Sequence, residues 1–597
     1  MDLSDYVVEY AASKGIRNGF FMIGGAVAHL VDAFYRKKFN LYTMHHEQAA
    51  AFAAEADATT SRRIGLAMAT SGPGATNLVT GIASAYFASI PVLFLTGQVN
   101  TYESNIDGRR RQVGFQETDI VRMVSHVTKF AVMVNRPETV VYNLEKAIWL
   151  ASSGRFGPVL LDLPFNVQKT DIDPAAQVRF IGSEEHMKMA ELPRAQKRML
   201  TEVSAKIISA QRPVILAGHG TRLSNAENLL GEFSKKSSIP VVTSLLATDC
   251  IAHSEPLFYG FIGTYAQRYS NFALANADLI IVLGSRLDSR QIGADFKSFA
   301  PGASIIHVDI DKNEQKTGIG REYVFINSDV SDFLRDILPL IPESGSRENW
   351  AGFLSALKMR YPRVVQGIGE NEIDPVAAIE ELSMHAHEGD AVTVDVGSNQ
   401  MWFAQGWKAK KNQTIMSNGG MGPMGWALPA AIGASLSRNK ANAWMVSGDG
   451  GMQINIQELQ TVKRNNLPIK MVVLNNNALG MLKQFQSENY EGRLAGSVDG
   501  YDSPDFAKIA SAYGITSMKV SGKAELKGAF SWLSGLDCAG LVELKIPKNY
   551  MVYPKASYNR PVHDMKPVLG RDEYKDASVH AQKNTSSAKG NVHSGGG

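Results

Sequence analysis

The sequence predicts an α/β protein built from three doubly wound parallel-sheet domains. Three observations point there. Short apolar runs that end in Gly, Ser or Asp alternate with Ala-rich or amphipathic helical stretches. The alternation recurs in three blocks separated by polar passages. The chain of 597 residues, 44% hydrophobic and 20% charged, is long and apolar enough to bury several cores. In the first block, 1–165, strands are expected at 64–69, 91–96 and 158–163, with helices over 47–60 and 75–88. A polar passage, 168–197, carries no sustained period. The second block, 195–335, has strand-like runs at 214–217, 240–243, 279–283 and 304–310. The third, 370–550, has them at 391–395, 443–447 and 469–474. Residues 551–597 turn polar and close on Gly595-Gly596-Gly597, too little apolar area to offset ordering entropy, so they are expected as an extended or disordered tail.

Composition narrows the partners. Net charge is +3 with no dense basic block, so neither nucleic acid nor an anionic membrane surface is favoured. Cys250 and Cys538 are far apart and outside any C-x-x-C pair. They are expected as core thiols in a reducing compartment, and no zinc or dithiol site is expected. The chain lacks a basic N-terminal region and an uninterrupted apolar run of about 18 residues, so cytoplasm is the expected location.

The most informative segment is Gly448-Asp449-Gly450-Gly451, after the run 443–447 and before Met452, Ile456 and Leu459 at helical spacing. A strand, a tight turn and a helix are expected there. Glycines let backbone approach a ligand closely, a helix start offers N–H groups to phosphate oxygens, and Asp449 suits a hard cation. A second strand ends in Asn475-Asn476-Asn477, and Asn476 lies 27 residues after Asp449. That spacing accommodates a helix and an adjacent parallel strand, bringing both side chains to one sheet edge. The pattern reads as a Mg²⁺-bridged phosphate site.

Gly-Asp-Gly followed at this distance by Asn-Asn resembles the motif of thiamin-diphosphate-dependent enzymes. The resemblance implies the fold of that family, with pyrimidine-binding, central FAD-type and diphosphate-binding domains. It implies Asp449 and Asn476 as side-chain ligands of Mg²⁺ and Ala478 as a carbonyl ligand, with Gly448, Gly450 and Gly451 at the diphosphate. His45-His46-Glu47-Gln48, expected at a strand end and helix start, resembles the family segment whose glutamate bonds the pyrimidine N1′. Two adjacent histidines on a strand would face opposite ways, so a shared metal is not expected. Met424 matches the residue that supports the folded cofactor.

Across 1–550 the likeness is closest to acetolactate synthase catalytic subunits. It is carried by Thr70-Ser71-Gly72-Pro73-Gly74-Ala75-Thr76-Asn77, Gly114-Phe115-Gln116-Glu117-Thr118-Asp119, Leu428-Pro429-Ala430-Ala431-Ile432-Gly433 and Leu479-Gly480-Met481. By that match Gly25, Phe115, Gln116 and Lys129 are implied on the substrate side. Pro73, Asn77, Gly397, Asn399, Gln400 and Met481 are implied at the cofactor. In the central block Gly218-His219-Gly220 is a fragment of G-x-G-x-x-G, with Leu223 at the third glycine position. The resemblance implies FAD there, near Gly218, Gly220, Arg286, Asp309 and Asp329, without a redox role in turnover.

Three positions depart from acetolactate synthases: Met22-Ile23 for Tyr-Pro, Phe485 for Trp, and Tyr265 for His. The expected reaction is decarboxylation of pyruvate and transfer of the two-carbon unit to a second 2-oxo acid. The alternative acceptor is a nucleotide-linked keto sugar, the type known from yersiniose formation, suggested by Arg109-Arg110-Arg111 and by the run 560–567. A 2-oxo acid decarboxylase or pyruvate oxidase is the further alternative. A homodimer or homotetramer with the site at the subunit interface is also implied.

Overall fold

The computed structural model describes residues 1–578 apart from 106–107, 294, 318–320 and 344–346. The chain divides into two compact units. One comprises 1–192, 370–400 and 414–548, the other 193–369, 401–413 and the residues from 549 onward.

The first unit holds two six-stranded sheets. One contains β1 (Asn18–Phe21), β2 (Asn40–Thr43), β3 (Gly65–Ala69), β4 (Val92–Gln98), β5 (Phe130–Met133) and β6 (Val159–Pro164) in the order β2-β1-β3-β4-β6-β5. The second unit is built on β7 (Pro213–Ala217), β8 (Val241–Thr243), β9 (Phe258–Phe261), β10 (Leu279–Leu283), β11 (Ser304–Asp309) and β12 (Tyr323–Asn327), ordered β12-β11-β10-β7-β8-β9. The first unit's other sheet contains β13 (Ala391–Val394), β14 (Thr414–Ser417), β15 (Ala443–Gly448), β16 (Ile469–Asn475), β17 (Thr516–Val520) and β18 (Gly540–Lys545), ordered β14-β13-β15-β16-β18-β17. Counted within its own sheet, this last order repeats that of the first. The middle sheet has the order of a dinucleotide-binding fold, with its reversal point between β7 and β10. Every pairing in the three sheets is parallel.

Helices cover both faces of a parallel sheet, so central strands read as unbroken apolar runs. All residues of β3, β4 and β6 are buried. The edge strands β2 and β17 are partly exposed and mixed in character, and for that reason they escape a reading of apolar runs, while β5, Phe130–Met133, is apolar but short and half-buried.

In the first unit the helix Glu47–Ser61 lies against the helix Ala427–Ser437 and against Pro73–Ala88. Small residues set the approach. A Cβ on Gly433 would fall 2.0 Å from the Ala53 carbonyl oxygen, and one on Gly81 2.2 Å from the Ala51 Cβ. The alanines of 49–58 are therefore a packing surface between two sheets' worth of structure, and their burial is complete or nearly so.

The expected tail is corrected as far as residue 578. Lys555–Ala556 pairs antiparallel with Met565–Lys566, and a short helix, Arg571–Asp576, follows. Buried Asn271 donates to the Val562 carbonyl at 3.0 Å, and the Arg268 guanidinium donates to the carbonyls of Met565 and Pro567. Widely spaced anchors, Val562, Met565 and Ala577, do the burying, and a compositional reading does not register them. The glycine-rich end, with Gly595-Gly596-Gly597, lies outside the described residues. Cys250 is buried as expected, but Cys538 is exposed, on the connection that enters β18. Among the described residues, no helix is long and apolar enough to cross a membrane.

Candidate active site

Two buried carboxylates organise the first unit. Glu47 is the first residue of its helix, and β2 stops at Thr43, so His45 and His46 belong to the connection and not to a strand as expected. His46 is the extended N-cap, its Nδ1 accepting the Gln48 N–H at 3.0 Å. Glu47 is 7% exposed, and its Oε2 accepts from the Asn77 side-chain amide at 2.9 Å. Its Oε1 faces Gly74, where an added Cβ would lie 3.3 Å away. Pro73 opens the helix that carries Asn77, after a left-handed turn at Gly72 (φ 63°). Gln116, itself at φ 65°, closes over that turn, since a Cβ on Gly72 would meet the Gln116 Cβ at 2.9 Å. Glu47, Pro73, Asn77 and Gln116 thus share one neighbourhood.

Other residues implied on the substrate side differ. The Phe115 ring is 86% exposed. Gly25 has open space where a side chain would stand, while its neighbour Gly24 is pressed onto Thr70, whose hydroxyl accepts the Ala26 N–H. Lys129 is not turned toward this neighbourhood by its bonds. Its ammonium donates to the carbonyls of Leu150 and Ser153, closing the negative end of the helix Val140–Ser152.

Asp449 is the second carboxylate. Gly448 pairs with Leu474 in the β15–β16 ladder, so Asp449 and Asn476 leave the same sheet edge one and two residues beyond that pair. The left-handed Asn477 (φ 50°) then turns Ala478 back, and its N–H donates to Asp449 Oδ2 at 3.2 Å. The Gly450 N–H donates to Oδ1 at 3.0 Å. Burial lifts the Asp449 carboxyl to about 6 against these N–H donors, and the phenol of Tyr501 is held protonated first by burial and then by the nearby Asp449 charge. A buried carboxylate faced by neutral donors is a place for a cation. Asn476 is buried beside Gly480, its amide nitrogen 3.0 Å from where a Cβ would stand.

Met424 lies over Gly450, where an added Cβ would be 2.8 Å from its Cε. The Met424 loop is tied down by Asp395, which accepts the N–H groups of Val396, Gly425 and Ala427 and is raised to about 6 by burial. A Cβ on Gly451 would strike that same carboxylate at 2.5 Å. Asn399 reaches Gly397 and Gly448, while Gln400 donates to Ser417 Oγ and Asn418 O and is committed to that loop. Met481 sits half-buried on the helix Gly480–Asn489. The expected helix after Asp449 is broken: Asp449–Ile454 ends at Asn455, a 3₁₀ turn follows, and helix resumes at Leu459–Arg464. Asn455, Glu458, Asp395 and Tyr501 were not singled out from the sequence. For Asp395 the available signal was an acid closing an apolar run, as at Asp449.

In the second unit Gly218 and Gly284 (φ 60°) follow β7 and β10 at the reversal point. Their backbones touch: a Cβ on Gly218 would fall 2.2 Å from the Gly284 oxygen. The Gly218 and Gly220 N–H groups donate to Leu283 O and Gly284 O, so both are spent on this crossing. Asp309 accepts the Asp311 N–H, Asp329 caps the helix Val330–Ile337, and Arg286 is half-exposed beside Asp288. The run 560–567 is structural: His563 is buried and stacked on Tyr574 at 5.6 Å, and Asp564 pairs with Arg560 and Arg571. These groups hold the chain end in place, and the keto-sugar reading finds no support in them.

Three parallel sheets, two sharing one strand order, with a Gly-Asp-Gly turn and an Asn loop at one sheet edge, define the class of the thiamine pyrophosphate enzymes. Models of that class match the chain in order: the N-terminal TPP binding domain over 1–123, the central domain over 200–337 and the C-terminal TPP binding domain over 395–541. The chain is 34% identical over 545 residues to a probable acetolactate synthase large subunit of Methanocaldococcus jannaschii, covering 88% of each. It is 32% identical over 556 residues to the acetolactate synthase isozyme 1 large subunit of Escherichia coli, covering 92% of this chain and 95% of the relative. A probable chloroplastic acetolactate synthase 2 of Oryza sativa is 33% identical over 586 residues, covering 94% and 85%. The chain belongs to the thiamine pyrophosphate enzyme family, among the relatives of the acetolactate synthase large subunits.

Proposed function

We propose that this protein is a thiamin-diphosphate- and Mg²⁺-dependent carboligase that decarboxylates pyruvate and joins the two-carbon unit to a second 2-oxo acid, giving a 2-acetolactate-type product. The observation that carries the reading is the buried Asp449 carboxylate, met by two backbone N–H donors at the edge it shares with Asn476, in a chain that acetolactate synthase large subunits match nearly end to end. Asp449, Asn476 and the Ala478 carbonyl would hold Mg²⁺, and the glycines of 448–451 would let the diphosphate approach backbone. Glu47 would bond the pyrimidine N1′ and hold a proton there, with Asn77 fixing the carboxylate's other oxygen. Met424, resting on Gly450 beneath the Asp395-tied loop, would support the fold of the cofactor. When bound, thiamin diphosphate supplies the electron sink that lets pyruvate lose CO₂.

On the substrate side Gln116 and Gly25 are assigned to the pocket, and Phe115, with its exposed ring, to a wall completed by a second copy of the chain. A homodimer is the smallest active assembly in this reading, and cytoplasm is its compartment. FAD is assigned to the crevice between β7 and β10, where the Gly218–Gly284 crossing fits close backbone approach. The spent N–H groups of Gly218 and Gly220 and the capping role of Asp329 leave Arg286 and Asp309 as its better-placed contacts. The visible spectrum of the purified protein tests this assignment.

The deciding experiment supplies pyruvate, thiamin diphosphate and Mg²⁺ to the purified protein and identifies the product by mass spectrometry. Acetolactate, with activity falling by orders of magnitude in Glu47→Gln at unchanged fold, supports the proposal. Acetaldehyde or acetyl phosphate as the main product would replace it with a decarboxylase or an oxidase, and an unaffected Glu47→Gln would remove that residue from the mechanism.

A further inference from the structure

The segment that breaks the expected helix after Asp449 grips the turn carrying the other carboxylate. Glu458, fully buried, accepts the His45 N–H on Oε1 at 2.9 Å, and its Oε2 accepts from the Thr461 hydroxyl at 2.6 Å. His45 stands two residues before Glu47. Asn455, also buried, donates to the Gln48 side-chain oxygen at 3.3 Å and to the Gly425 carbonyl at 2.8 Å. Gln48 follows Glu47, and Gly425 follows Met424. Farther along, the Arg464 guanidinium donates to the Thr43 carbonyl at the end of β2. One stretch, 455–464, therefore binds the strand end before Glu47, the residue after it and the loop of Met424, and it begins directly after the helix Asp449–Ile454.

We infer that Glu458 is a positioning residue for Glu47, with Asn455 and Arg464 completing the clasp. A helix N-terminus is where a chain frays, because its first N–H groups have no intrahelical partner. Glu47 is the first residue of its helix, so the entering chain decides the position of its carboxylate. The His46 cap closes the helix locally, and the Glu458 bond ties the chain ahead of that cap, at His45, to a buried side chain of the other sheet's structure. A buried acceptor is expensive to leave unmatched, and a buried donor equally so, which makes the pair hold its register. The inference rests on the role proposed for Glu47. It adds that the orientation of Glu47 is set from the polypeptide that follows the Gly-Asp-Gly turn.

The test uses the full chain saturated with thiamin diphosphate and Mg²⁺, with pyruvate as substrate and rates expressed per folded site. Glu458→Gln keeps an oxygen for the His45 N–H and is expected to retain kcat within about threefold. Glu458→Asp keeps the charge but withdraws the acceptor by about 1.5 Å, one C–C bond, and is expected to lose about tenfold or more in kcat, as displaced catalytic groups do. Glu458→Asp is then placed in the Glu47→Gln background, where it is expected to change the residual rate less than about twofold, because a residue that acts through another has nothing left to act on. Equal activity of Glu458→Asp and wild type, or the same factor lost in both backgrounds, would overturn the inference. Glu458→Ala, if it folds, follows Asp and not Gln. An inactive Glu47→Gln beside an unaffected Glu458→Asp refutes only the positioning role, whereas a fully active Glu47→Gln refutes the functional reading itself.

Discussion

Replacing Gly433 by alanine pits two effects against each other, and the structure decides the sign. In a helix interior alanine is favoured over glycine by about 1 kcal/mol. At Gly433 the added methyl would stand 2.0 Å from the Ala53 carbonyl oxygen and 2.8 Å from its carbon. Both are backbone atoms of a buried helix and have no rotamer through which to yield. Restoring ordinary contact requires the two helices to part by roughly 1.4 Å, and a gap of 0.5–1 Å already forfeits a quarter to a half of each dispersion well along a seam. That seam includes Phe52, Ala56, Ala430 and Ala434. Overpacking of this kind costs about 1–3 kcal/mol, so against the helix gain the net expectation is a loss of up to about 2 kcal/mol. Gly528 is the control, since it lies in the helix Leu526–Ser534 of the same unit with nothing within 4 Å of an added Cβ. Gly528→Ala is expected to raise stability by about 0.5–1 kcal/mol. Urea unfolding followed by circular dichroism gives both midpoints. A Gly433→Ala variant as stable as Gly528→Ala would refute the close helix contact.

Glu55, two turns beyond Glu47, is buried with its carboxylate accepting from Ser84 and Trp426, and burial raises it from 4.5 to about 7. Because the folded value is the higher one, its stabilising contribution is complete below pH 4.5 and is lost as pH rises toward 7, an amount on the order of 3 kcal/mol by linkage. Glu55→Gln keeps an acceptor for both donors, so it should unfold later than wild type at pH 8 and show no advantage at pH 5; equal midpoints at both would exclude an ionising Glu55. Asp449→Asn is expected to abolish Mg²⁺-dependent uptake of thiamin diphosphate in calorimetry while the fold, read by circular dichroism, is kept, with one of the two N–H donors to Asp449 left unmatched; retained uptake would displace Asp449 from the metal. A thiol reagent should modify the exposed Cys538 in the native protein and reach Cys250 only on unfolding, and slow labelling of both would contradict their placement.

Much of the architecture was legible because parallel sheets covered on both faces force their inner strands to be apolar throughout. The runs at 64–69, 91–96 and 279–283 lie where β3, β4 and β10 form. The edge strands β2 and β17 were illegible for the converse reason, each facing solvent on part of its surface. The residues about Asp449 were legible because a tight turn after a strand demands glycine and a second parallel strand has a fixed return distance. Asn455 and Glu458 were not, since their partners, Gln48 and His45, are some 400 residues away and no local pattern joins them. The carbonyls of Leu150 and Ser153 that hold the Lys129 ammonium were likewise not legible, since they come from a helix end some 20 residues on.

Strand periodicity, glycine turns and the order of acids and amides along the chain are local properties, and the amino-acid sequence alone determined them: three α/β sheets and a Gly-Asp-Gly turn at a strand end. Tertiary structure alone decided which oxygen each buried donor meets, because that depends on helices packing to within an ångström. The Glu458 clasp on His45, the Asp395 tie on the loop of Met424, and the anchoring of 549–578 onto Asn271 and Arg268 all arise from that packing.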